Sequence, residues 1–262
     1  MKFLKALGWF LSYPFVAIYL LVQMLFAKLL ANKYKKNPED ITEADRYKRV
    51  SKALRALMWL LNVKVETTNE IFLSNRSMLY VGNHKSNIDA LALFLALEQH
   101  SLQNITFIGK IELQKSFFAP LFNLIDVVYV NRKDLRQILK TMKTQETLLK
   151  EHTRGLVVFP ETKRNHSDDF FPFQAATLTP AYNTASAIQP FVVGNSINTI
   201  DKHDNNKKRF RRNFFKTKTV YVSFLKPYNS YDYLDIDKKI LMKNIEQKII
   251  DEYARLKNVY HF

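Results

Sequence analysis

Three short apolar runs, residues 78–81, 127–130 and 156–159, each stop at a block of polar and charged residues. Runs of this length read as buried strands. The first is followed by the helix-length apolar stretch 90–97. The second is followed by residues 134–151, where Leu135, Ile138, Leu139 and Met142 recur at helical spacing ahead of Gly155. Such alternation restricts the chain to an α/β sandwich and sets the three blocks along one sheet edge. Residues 191–193 and 220–224 add strand candidates, and Leu241, Ile245, Ile249 and Tyr253 repeat every four residues along a C-terminal helix.

The block after the first run is Asn83-His84-Lys85-Ser86-Asn87-Ile88-Asp89. Neutral imidazole titrates near physiological pH, and a neighbouring carboxylate fixes its tautomer, so His84 is a candidate general base and Asp89 its partner. The chain has no cysteine and no serine-containing nucleophile elbow. A base without a protein nucleophile points to deprotonation of a substrate hydroxyl. The bland alternative is that Asp89 only complements the dipole of the following helix. No histidine joins another in a metal-binding spacing, so no metal site is expected.

Residues 6–27 carry no charge, enough to cross a bilayer core of about 30 Å, with Pro14 inside the stretch. Lys2 and Lys5 precede it, and Lys33, Lys35 and Lys36 follow. Basic residues on both flanks favour a helix lying in the interface over a defined crossing, and the stretch exceeds an ordinary signal-peptide core. Residues 53–61, with Leu54, Leu57, Met58 and Leu61, are either a second membrane contact or a core helix. The expected division is a membrane-anchoring helical region, 1–62, followed by a catalytic domain, 63–262.

Four segments together resemble the glycerolipid acyltransferases, the family that includes 1-acylglycerol-3-phosphate acyltransferase. They are Asn83-His84 with Asp89, matching NHxxxxD; Lys110-Ile111-Glu112-Leu113 running on to Val127-Val128-Tyr129-Val130-Asn131-Arg132; Val158-Phe159-Pro160-Glu161-Thr162-Lys163-Arg164; and the apolar stretch around Pro190. The resemblance implies a mixed sheet flanked by helices with the active site in a groove at one face, where His84 deprotonates the free hydroxyl of a lysophosphatidic-acid-like acceptor, with Asp89 orienting it. The alkoxide then attacks an acyl thioester of coenzyme A or acyl-carrier protein, with no bound cofactor. It further implies that Arg132, Arg164, Glu161, Lys163 and Lys110 line the acceptor site. A planar guanidinium suits phosphate, whereas Glu161 suits the alignment of an arginine or hydroxyl. The third block departs from the family's FPEGTRS: Thr162 and Lys163 stand where glycine and threonine are usual, and a β-branched residue resists positive φ. The departure keeps two alternatives open, a different lysolipid acceptor or a non-catalytic membrane-binding or scaffolding relative.

Forty Lys and Arg against 24 Asp and Glu give a net charge of +16, so anionic partners are expected. The densest cluster, residues 207–218, interleaves cations with Phe210, Phe214 and Phe215. Docking on anionic membrane phospholipids ranks first for it, a solvated connection second and nucleic acid third. The expected location is a membrane, at the cytoplasmic face of the cell membrane.

Overall fold

A computed structural model describes residues 2–73, 76–100, 104–131, 133–152, 154–200 and 216–262. Arg132 and most of the basic cluster, residues 207–215, lie outside them.

The chain divides into two compact units. The first holds the N-terminal helices and Glu112–Val127. Helix α1, Lys2–Lys36, runs through Pro14 without a break. One stripe of it, Leu20, Met24, Ala27 and Ala31, is buried, and these positions recur at one or two helical turns. The stripe packs on α2, Glu43–Leu60, whose Val50, Ala53, Leu54 and Met58 are buried. Residues 53–61 are therefore core on their inner side. Thr42 caps α2 by accepting from the Asp45 N–H. The remaining face of α1 is apolar and exposed, including Leu11, Ile18, Leu21 and Leu25, with Phe15 73% exposed. Helix α1 is long and apolar enough to cross a membrane. Arg46 fastens the unit internally: its Nη1 donates to the Leu124 carbonyl and to Asp126 Oδ2, both at 2.7 Å.

The second unit is built on the sheet. Its strands and helices run β1 Val63–Thr68, β2 Leu79–Gly82, α3 Ile88–Gln99, β3 Ile105–Lys110, then, after α4 Ala119–Leu124 of the first unit, β4 Val128–Val130, α5 Leu135–Lys150, β5 Gly155–Val158, α6 Thr179–Thr184, β6 Ile188–Gly194, β7 Lys218–Phe224 and α7 Lys238–Tyr260. Among the described residues seven strands form one sheet in the order β1-β7-β6-β2-β5-β3-β4. Strands β6, β2, β5, β3 and β4 are parallel, and β7 is antiparallel to β6. The α/β alternation expected from the runs and the mixed sheet that the family resemblance implies are both present.

Alternation along each strand sorts its residues between two faces. Leu79 and Val81, Leu156 and Val158, and Ile188 and Val192 form a core with Leu149 of α5, Ala181 of α6 and the stripe Leu241, Ile245, Ile249 and Leu256 of α7. Each fully buried aliphatic side chain contributes about 2 kcal/mol relative to exposure. In α5 the inner face is Thr141, Gln145 and Leu149, while Leu139 is 63% exposed. The apolar spacing of that helix therefore located it correctly without marking its buried face.

Parallel strands point their carboxyl ends the same way. His84 and Glu161, which follow β2 and β5, and Lys110, which ends β3, consequently fall at one sheet edge, where open α/β sheets place their ligand sites.

Candidate active site

The turn carrying His84 is folded around one carboxylate. Asp89, in the first turn of α3, is fully buried. Its Oδ2 accepts from the backbone N–H groups of Lys85 at 2.6 Å and Ser86 at 2.8 Å, and lies 3.0 Å from His84 Nδ1. An ionised carboxylate only accepts, so this contact assigns the proton to Nδ1 and leaves Nε2 as the basic nitrogen. The His84 side chain is 20% exposed and stacks on Phe159, with ring centroids 4.2 Å apart. Phe191 meets Phe159 edge-on. The ring is therefore held in its plane as well as by its hydrogen bond. Such an imidazole can take a proton from a hydroxyl brought to Nε2.

Asn83 supplies the base of the turn. Its side chain donates to the Val193 carbonyl at 2.9 Å and accepts from the Val193 N–H at 2.8 Å, continuing the β2–β6 pairing by one residue. Gly82 comes next to it in the chain, and a Cβ there would lie 2.4 Å from the Phe191 ring. Only glycine fits this close approach.

Glu161, at the end of β5, is almost fully buried. One oxygen accepts from the His84 N–H at 2.7 Å, the other from the Phe171 N–H at 2.9 Å. Burial raises its pKa above the ordinary carboxylate value, while these two N–H groups, Lys85 and His84 act in the opposite direction. Glu161 thus joins two stretches of main chain. The segment between them returns to the same turn, where the Asn165 N–H donates to the His84 carbonyl at 2.8 Å.

Thr162 occupies the left-handed region at φ 59°. The conformation that glycine would adopt freely is kept here with a β-branched residue, a strained arrangement. It is stabilised locally by the Thr162 N–H donating to the Phe159 carbonyl at 3.0 Å. Lys163 is exposed, with Nζ 4.0 Å from the Phe171 ring centroid, and Arg164 is half-buried. Lys110 is exposed at the end of β3. His84, Asp89, Glu161 and the stretch bearing Lys163 and Arg164 converge around one turn.

Sequence reasoning passed over Lys85. This residue is fully buried, and its ammonium lies 3.7 Å from the Phe170 ring centroid and 5.5 Å from that of Tyr253. It donates to the Asp169 carbonyl and to the Asp168 carbonyl at 3.5 Å. Burial lowers its pKa, opposed by Glu161, Asp89, Asp168 and Asp169. Asp168 in turn accepts from Tyr253 and Lys257 of α7, and the Lys257 contact holds its carboxyl below the usual range. Nothing in a linear pattern marks a lysine as buried, because its long stem normally carries the charge to water.

A family model described as Acyltransferase matches residues 62–194, ending where β6 ends. A Mycoplasma genitalium protein named “Probable 1-acyl-sn-glycerol-3-phosphate acyltransferase” is 32% identical over 93% of this chain and 91% of its own length. A Mycoplasma pneumoniae protein of the same name is 30% identical over 97% of this chain and 94% of its own. The crystal structure of the 1-acyl-sn-glycerophosphate (LPA) acyltransferase PlsC from Thermotoga maritima superposes with a TM-score of 0.61 over 98% of both chains at 20% identity, a likeness of fold. The length and the span of these matches establish that this chain belongs to the glycerolipid acyltransferase family, the enzymes that include the 1-acyl-sn-glycerol-3-phosphate acyltransferases.

Proposed function

We propose that this protein transfers a fatty acyl group from a thioester donor to the free hydroxyl of lysophosphatidic acid, yielding phosphatidic acid. The observation that carries the reading is the His84–Asp89 pair, 3.0 Å apart around a wholly buried carboxylate that also accepts two backbone N–H groups. In the reaction His84 Nε2 takes the acceptor's hydroxyl proton, and the hydroxyl oxygen bonds to the thioester carbonyl carbon. The tetrahedral adduct then expels sulfur, and the imidazolium returns its proton to the departing thiolate. Asp89 stabilises the imidazolium between these steps. Arg164 and Lys163, with Arg132 and Lys110, are the cations offered to the acceptor's phosphate. Glu161 serves the acceptor site by holding the main chain that carries two of them. Coenzyme A and acyl-carrier protein are both anionic, so the net charge of +16 suits either donor.

Residues 1–62 are the membrane anchor of this reading. The exposed apolar face of α1 calls for an apolar surrounding, and a monomer in water rarely leaves so extended a patch uncovered. Lys48, Arg49 and Lys52 line a cavity of about 320 Å³ with Leu30, Ile41 and Asp45, three cations against one carboxylate beside apolar surface, as at a lipid interface. The basic cluster at 207–218 would add attraction to anionic phospholipids at the cytoplasmic face.

The test is acyl transfer to lysophosphatidic acid in detergent-solubilised membranes, offering each thioester separately beside His84→Ala. Loss of a general base costs about 10²–10⁴-fold. Product formed equally by the folded His84→Ala protein would refute the mechanism. Absence of product with a folded, lipid-bound protein would favour another acceptor or a non-catalytic role.

A further inference from the structure

Lys85 directly follows the proposed base, yet its side chain is wholly buried in the protein. Its ammonium ends between the Phe170 and Tyr253 rings, against the carbonyls of Asp168 and Asp169. A methionine would fill similar volume without the penalty of burying a charge. What the ammonium adds is directed donors aimed at the main chain of one loop. That loop is gripped at three further points: Glu161 takes the Phe171 N–H, the Asn165 N–H reaches the His84 carbonyl, and the Asn165 amide donates to the Asp169 carbonyl at 2.7 Å. Between Glu161 and Asn165 lie Thr162, strained at positive φ, and the cations Lys163 and Arg164. A strained conformation persists only where its surroundings over-determine it.

We propose that Lys85 is a positioning residue for acceptor recognition: by holding the 168–169 carbonyls it fixes the loop that offers Lys163 and Arg164 to the acceptor's phosphate. This inference rests on the acyl-transfer reading and adds to it a residue that touches no substrate. It separates the two neighbours in the turn by task. His84 acts on the hydroxyl, and Lys85 acts through the loop on the phosphate end. On the far side of the loop, Asp168 is tied to Tyr253 and Lys257, so α7 completes the support.

The experiment compares the full chain with Lys85→Met and Lys85→Gln in detergent micelles. Steady-state acyl transfer is measured with lysophosphatidic acid varied at saturating donor and then with the donor varied. Hydrogen exchange is followed in peptides covering residues 165–171. Losing a charged hydrogen-bond donor of this kind is expected to raise the acceptor KM about tenfold in Lys85→Met. The donor KM stays as it was, and exchange in 165–171 accelerates. Lys85→Gln, which keeps a neutral donor, recovers part of both effects. An unchanged acceptor KM overturns the proposal, as does a fall in kcat alone with native exchange, which a loss of folded protein would produce. Should Lys85→Met not fold, the glutamine variant carries the same two readouts. His84→Ala separates the premises: if the unmodified protein shows no His84-dependent transfer, the acyl-transfer reading fails, and native exchange in 165–171 of either Lys85 variant then overturns the loop role independently.

Discussion

Replacing Glu161 by glutamine removes one charge while keeping size and shape, so its cost can be assembled from contacts. The nearly buried carboxylate accepts from two backbone donors, His84 N–H at 2.7 Å and Phe171 N–H at 2.9 Å. Glutamine retains one carbonyl oxygen, which can serve one of them as a neutral bond. This change forfeits about 1 kcal/mol, the difference between charge-assisted and neutral hydrogen bonds. The other N–H then faces the amide NH2, donor against donor, beside a side chain that is almost fully buried. An unsatisfied buried donor costs about 1–3 kcal/mol. The variant is relieved of burying a charge, which moves the sum toward the lower part of its range, and about 2 kcal/mol remains. At about 2–4 °C per kcal/mol for a domain of this size, the midpoint of thermal unfolding falls by about 4–8 °C. Circular dichroism of purified protein in detergent measures it. A Glu161→Gln midpoint within about 2 °C of the unmodified protein would refute this reasoning and would mean that Glu161 works mainly on a ligand.

Three further outcomes are expected. Gly82→Ala places a Cβ 2.4 Å from the fully buried Phe191 ring, so overpacking of about 1–3 kcal/mol is expected, with partial rescue by Phe191→Leu in the same melting assay. Thr162→Gly relieves a β-branched residue at φ 59°; unfolding should show unchanged or higher stability, by up to about 1 kcal/mol once the added freedom of the unfolded chain is deducted. Lys85 has a folded pKa below its ordinary 10.5, so in that window the unfolded chain binds more protons and stability rises with pH. Urea unfolding between pH 7 and 9.5 should therefore show an upward slope that Lys85→Met diminishes, and equal slopes in the two proteins would contradict the assignment.

The runs that became β2, β4, β5, β6 and β7 and the edge on which the motifs fall were readable in the chain, because both follow from local periodicity, whereas β1, β3, α4 and α6 carried no such mark. A short apolar run that stops at polar residues marks a strand and its end, and parallel pairing carries every such end to the same side. The His84–Asp89 pair was readable for the same reason, since four intervening residues suffice for the turn that folds both onto one site. In α5 periodicity reached its limit: the spacing of Leu135, Ile138, Leu139 and Met142 located the helix, but the sheet beneath it buries Thr141, Gln145 and Leu149. Which face is inner depends on what lies opposite, and the chain's local pattern holds no record of that.

Residue identity alone led to the expectation that Thr162 would resist positive φ, and the fold holds it there nonetheless. The preference costs about 1–3 kcal/mol, which the surrounding contacts outweigh. Glu161 and Lys85 make the same point from the charged side. A linear motif presents both as groups facing a ligand or water, yet the fold turns them inward onto backbone N–H and carbonyl groups. What the sequence by itself determined was the class of fold, the family and the pairing of His84 with Asp89, all written in local spacing and residue chemistry. What only the tertiary structure decided was which charges are buried and what they hold, because burial is set by segments far apart in the chain meeting in space.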